Sequence, residues 1–138
     1  MDDPIHGPNV LVVEDSVDDM LLTRRALKKA GIRVPIRTCE NGEDAIRCLS
    51  GLPRASLVLL DWKLPRRSGA EVLAWMRGNP ALGITPVIVV SSSRLPEDMD
   101  AALAGGAHAF LEKPVQPPEL IEQLERLGLS SLCSGANP

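Results

Sequence analysis

Polar side chains follow short apolar runs throughout this chain, and their types suit one kind of chemistry. Glu14 and Asp15 follow Val10 to Val13, Asp61 follows Leu57 to Leu60, Ser91 follows Val87 to Val90, and Lys113 comes just past Ala107 to Leu111. Brought together, Glu14, Asp15 and Asp61 would repel one another and raise their own pKa values. A divalent cation removes that cost. Oxygen-only ligands with open positions suit magnesium, which keeps several waters at roughly 2.0–2.1 Å. The Lys113 ammonium could then pair with Asp61 or with a phosphoryl oxygen.

Taken singly, each residue has a plainer use. Asp61 could be a turn residue after a strand. Glu14 and Asp15 could cap a helix, whose N-terminus favours acids. Ser91 opens a run of serines, Lys113 could be a surface lysine, and Phe110, the only phenylalanine, could be plain core. The chemical reading gains its weight from position. In open α/β sheets, ligands bind at the carboxyl ends of the strands, where these residues fall.

The elements that must hold them alternate in type. Val10 to Val13 reads as a first strand, and Ser16 can cap the helix after it. That helix has an apolar stripe of Leu22, Ala26, Leu27 and Ala30 and ends at Gly31. Val34 to Cys39 is a weaker strand, Asn41-Gly42 marks a turn, and a short helix carries Ala45, Ile46 and Leu49 to Gly51. Leu57 to Leu60 is a third strand. Ser68 can cap a third helix bearing Val72, Leu73 and Met76, which Gly78-Asn79-Pro80 stops. Val87 to Val90 is a fourth strand, and Pro96 starts a helix that runs to Gly105-Gly106. Ala107 to Leu111 is a fifth strand, and Pro117-Pro118 open a last helix with Leu120, Ile121, Leu124 and Leu127 toward the core. Strands without polar alternation are buried on both faces, so the pattern predicts a doubly wound α/β fold with a parallel sheet.

Composition narrows the classes. The chain has 138 residues, 44% of them apolar, which fits one globular domain. A net charge of −3 argues against general nucleic-acid binding. No apolar run approaches the ~20 residues of a membrane span, and the polar start with Asp2 and Asp3 is no signal peptide. Cys39, Cys48 and Cys133 form no CxxC pair and read as reduced thiols in a cytoplasmic protein. With only His6 and His108 as imidazoles, no zinc constellation exists. Arg24 with Lys28, and Arg25 with Lys29, stack cations on the first helix, either as a solvated face or as a docking surface for a kinase.

The segments VVEDS, LLDWKLP, VIVVSSS and AFLEKP resemble the receiver domain of two-component response regulators, over roughly residues 9–127. Residues 1–8 and 128–138 are then expected to be flexible tails. The resemblance implies a flavodoxin-like sheet of five parallel strands in the order 2-1-3-4-5, with five helices. It makes Asp61 the phosphoacceptor, and Glu14, Asp15, Asp61 and the backbone carbonyl of Lys63 the magnesium site. It makes Ser91 the switch hydroxyl, Phe110 the switch aromatic and Lys113 the lysine that neutralises the phosphoryl group. The Lys113-Pro114 bond is expected to be cis. The implied donor is a sensor histidine kinase, and the implied output surface is helix four, strand five and helix five. That surface is expected to meet a downstream protein; the chain could also form a homodimer, and no nucleic acid or membrane is expected to be involved. The chain is also similar to the single-domain regulators that partner bacterial phytochromes, chiefly over Met76 to Ser93.

Other functions fit less well. A phosphorelay shuttle, passing the phosphoryl group to another histidine protein, remains open within the same resemblance. A phosphohydrolase of the haloacid dehalogenase type would want a second acid two residues past Asp61, where Lys63 stands. A flavodoxin-like cofactor binder would need a Ser/Thr/Gly-rich phosphate loop where Glu14-Asp15-Ser16 stands. The protein is therefore expected to be a signalling phosphoacceptor rather than an enzyme acting on a separate substrate. Lys63 is expected to pair with a phosphoryl oxygen or with Glu14 and so to crowd the water that would hydrolyse an acyl phosphate.

Overall fold

The computed structural model describes residues 7–51 and 53–133. Strands and helices alternate as β1 (Val10–Val13), α1 (Val17–Lys29), β2 (Ile36–Cys39), α2 (Gly42–Ser50), β3 (Leu57–Asp61), α3 (Gly69–Arg77), β4 (Val87–Ser91), α4 (Pro96–Ala104), β5 (Ala109–Glu112) and α5 (Pro117–Arg126). The strands form one parallel sheet in the order β2-β1-β3-β4-β5, a flavodoxin-like arrangement.

Side chains along a strand alternate between the two faces, and each face has its own core. Val10, Val12, Leu57, Leu59, Ile88 and Val90 pack under α1 and α5. Leu11, Val13, Val58, Leu60, Val87 and Val89 pack under α2, α3 and α4. β2 lies at the sheet edge and is the least buried strand, which is why its sequence is the most polar of them.

The caps explain where the helices begin. Ser16 accepts from the Asp19 N–H at the start of α1, and Asn41 accepts from the Asp44 N–H at the start of α2. Asn41-Gly42 is thus a helix entry rather than a free turn. Ser68 and Glu71 form a reciprocal capping box on α3.

Three expectations need correction. Leu22 and Ile121, read as core, are 46% and 39% exposed; Ala26, Leu27, Leu120 and Leu124 already fill the space under α1 and α5. Residues 128–133 are not a free tail. They form a 3-10 turn, Ser130–Leu132, whose Leu132 is 2% exposed inside the α1/α5 core, and its carbonyl accepts from the Arg33 N–H. Leu129 and Leu132 among small polar residues gave too little pattern to show this. The expectations for residues 1–6 and 134–138 lie outside the described residues. On α1, Arg25, Lys28 and Lys29 are exposed and Arg24 is half-buried.

Candidate functional site

β1 and β3 are adjacent and in register, with Val13 beside Leu60, so Glu14 and Asp61 leave the sheet side by side. Glu14, Asp15 and Asp61 each bring a carboxylate oxygen to one place, all within 4.8 Å of one another. Glu14 and Asp61 are buried and Asp15 is exposed. The Ser16 N–H donates to Glu14 Oε2 at 3.1 Å, and the Lys63 N–H donates to Asp61 Oδ1 at 3.3 Å. Burial first, and then the charge of Glu14, push the Asp61 carboxyl up to about 7, against the opposing pull of the Lys113 ammonium and the Lys63 N–H. These donors are hard oxygens with no nitrogen or sulfur among them, and they fit a hard divalent cation that would relieve this repulsion.

Lys113 follows β5, with its peptide N–H bonded to the Ser91 carbonyl and a cis bond to Pro114. Its Nζ lies 2.6 Å from Glu14 Oε1, 3.2 Å from Asp19 Oδ2 and 3.4 Å from Asp61 Oδ2. Burial alone would lower its pKa. The hydrogen bond to Glu14, with the charges of Asp61 and Glu14 and a bond to Asp19, holds it above the ordinary lysine value instead.

Ser91 ends β4 beside Glu112 and is fully buried; its Oγ accepts from the Ser93 N–H at 3.1 Å. Phe110 is half-buried on β5 and lines a cleft of about 310 Å³ with Leu95, Met99 and Glu119. Lys63 is not paired with Glu14 as expected. Its Nζ lies 3.4 Å from Asp98 Oδ2, and Asp98 also accepts from Ser93 Oγ at 2.6 Å. The Ser93 bond, together with the nearby Lys63 charge, holds Asp98 below the usual carboxylate range although desolvation opposes it.

The rim is closely built. Gly69 opens α3 against the carbonyl of Asp61; a Cβ there would stand 2.5 Å from that oxygen. Asp19 and Asp98 are the site residues that sequence reasoning missed. Both sit in the first turn of a helix, where an acid already has a sufficient reason in the helix dipole.

A parallel five-stranded sheet with an acidic cluster and a lysine at its carboxyl rim is the architecture of a signalling receiver module. The chain belongs to the response regulator receiver domain family, whose model matches residues 10–125. It is 34% identical over 117 residues to the polar-differentiation response regulator DivK of Brucella anthropi, covering 85% of this chain and 93% of that one. It is 30% identical over 120 residues to the two-component response regulator ORR11 of Oryza sativa, covering 87% of this chain and 80% of the relative. Among solved structures, the bacteriophytochrome response regulator AtBRR is similar at a TM-score of 0.79 and 31% identity, over 88% of this chain and 92% of that one. The Mn2+-bound form of response regulator Rcp1 is similar at 0.73 and 30% identity, over 98% and 99%.

Proposed function

We propose that Asp61 accepts a phosphoryl group from a phosphohistidine on a sensor histidine kinase, and that the modified chain changes its affinity for a partner protein. The observation that carries this reading is the approach of the Lys113 ammonium to within 3.4 Å of Asp61 Oδ2 beside the clustered acids. In the step, an Asp61 carboxylate oxygen attacks phosphorus, the bond from phosphorus to the histidine nitrogen breaks, and the imidazole keeps that electron pair. Lys113 neutralises charge on the phosphoryl oxygens, and the Ser91 hydroxyl donates to one of them once it turns toward the rim. Glu14, Asp15, Asp61 and the Lys63 carbonyl would hold Mg2+, which when bound supplies a positive charge to the phosphoryl oxygens. The Mn2+-bound form of Rcp1 supports a divalent cation here.

The phosphoryl group brings roughly −1.5 to −2 charge, enough to bias a loop with two arrangements. Ser91 and Phe110 are the switch pair in this reading. Leu95, just before α4, and Met99 and Leu103 on α4 are 53%, 44% and 45% exposed, and they support α4, β5 and α5 as the surface that meets a partner. The likeness to AtBRR supports a phytochrome as the kinase. No helix among the described residues is long and apolar enough to cross a membrane, in keeping with a cytoplasmic role.

The test is incubation with acetyl phosphate and magnesium, followed by intact-mass measurement. One phosphoryl group should be added to the wild-type chain and none to Asp61→Asn. An equal mass shift in both would place the acceptor elsewhere.

A further inference from the structure

Lysine carries three N–H donors and no acceptor. At Lys113 each has a carboxylate within reach: Glu14 at 2.6 Å, Asp19 at 3.2 Å and Asp61 at 3.4 Å. The side chain of Lys113 is only 11% exposed, so its charge depends on these partners. Their roles differ. Glu14 and Asp61 belong to the acidic cluster that could hold a cation, and Asp61 is also the proposed acceptor. Asp19 belongs to neither group. It stands one turn into α1, with its backbone N–H fixed by Ser16 Oγ at 3.2 Å and its side chain 39% exposed.

We infer that Asp19 is a positioning residue, which anchors the Lys113 ammonium at the rim while its other two partners change what they bind. This inference rests on the phosphoacceptor reading above. When Glu14 turns to a cation and Asp61 becomes an acyl phosphate, two of the lysine's contacts are exchanged. The contact to Asp19 is the one that need not be. It keeps the ammonium from swinging to solvent and leaves its remaining donors for the phosphoryl oxygens. The partial exposure of Asp19 makes the anchor cheap to desolvate and modest in strength. An acid at this place also favours the helix N-terminus, but its neighbour Asp18 does that equally and has no contact to Lys113.

The experiment compares first-order phosphorylation of the full chain by acetyl phosphate at fixed magnesium, read by intact mass. Asp19→Asn keeps the shape and removes the charge. It should slow phosphoryl uptake about two- to fivefold, while Asp18→Asn leaves the rate unchanged. In a Lys113→Arg background, whose planar head group leaves the three-way contact, Asp19→Asn should slow uptake less than it does in the wild type. A wild-type rate in Asp19→Asn overturns the anchor. So does equal slowing in both Lys113 backgrounds, which would assign Asp19 a purely structural role. If the wild type and Asp61→Asn are modified alike, the acceptor reading itself falls and this inference falls with it; if only the wild type is modified, the anchor alone is on trial.

Discussion

Lys63 and Asp98 are joined across the rim: Nζ lies 3.4 Å from Oδ2, so the side chain two positions past Asp61 is tied to the first turn of α4. Ser93 reinforces the tie by donating to the same carboxylate and accepting from the Leu95 N–H. The ammonium is therefore held toward α4. The pair is partly exposed and weak, so a competing phosphoryl oxygen could take the lysine from it.

That relationship predicts opposite effects on the lifetime of the phosphorylated form. Asp98→Asn releases Lys63 toward the phosphoryl group and should lengthen the lifetime about two- to threefold. Lys63→Asn removes the ammonium that a phosphoryl oxygen could recruit and offers water an acceptor, so it should shorten the lifetime. The double variant should behave as Lys63→Asn. First-order loss of phosphoryl after donor removal, at constant magnesium, is the measurement. An unchanged rate in Asp98→Asn would show that the tie has no bearing on hydrolysis.

Asp61 makes stability depend on pH in a definite direction. Its folded pKa of about 7 lies above the ordinary value of 3.8, so the folded state disfavours the charged form. The stability this group contributes is present at low pH and is lost as pH rises from about 4 through 7. In metal-free buffer at pH 8, Asp61→Asn should therefore be the more stable protein, by on the order of 1–3 kcal/mol. The difference should shrink toward pH 5. Lys113 keeps Glu14 and Asp19 in that variant and is not stranded. Urea unfolding at the two pH values would read it, and a less stable variant at pH 8 would contradict the argument.

Magnesium should bind through Glu14 and Asp15 and be seen by Trp62. That indole is 7% exposed and its peptide directly follows Asp61. In a Trp75→Phe background, a magnesium titration should change Trp62 emission, and Glu14→Gln with Asp15→Asn should weaken the affinity at least tenfold. An unaltered titration in the doubly neutralised chain would reduce the acidic pair to helix capping.

Leu132 should behave as a core residue. Its side chain is 2% exposed among the α1/α5 core, and Leu132→Ala should cost about 2–4 kcal/mol in unfolding free energy. Leu21→Ala, at a site 51% exposed, should cost far less. Equal effects would return residues 128–133 to the status of a tail.

The central sheet was legible because β1, β3 and β4 begin as unbroken apolar runs, and the runs at Val10, Leu57 and Val87 start where those strands start. Caps at Ser16 and Ser68 and the proline starts at Pro96 and Pro117 fixed helix entries for the same reason: each is a local event. The strand-end acids were legible from position alone. Less could be read where three-dimensional pairing decides. Leu22 and Ile121 fit an apolar period, yet face outward, because smaller or better-placed neighbours complete the core. Asp19 meets Lys113 and Asp98 meets Lys63 across 94 and 35 positions of chain, and helix-dipole logic already accounts for both acids.

The docking of Leu132 also decides where an engineered attachment would emerge. Its carbonyl bonds to Arg33, just before β2, so the chain is pinned at the sheet pole opposite Asp61 and Lys113. A fluorescent reporter attached at residue 133 would start about one strand length, ~15 Å, from the chemistry. It should leave the rim open to a kinase, whereas the same reporter inserted between β4 and α4 would lie directly over it. For a biosensor built on this chain, the residue-133 side is the handle, and under the proposed function the loop at Ser93 is the surface to monitor.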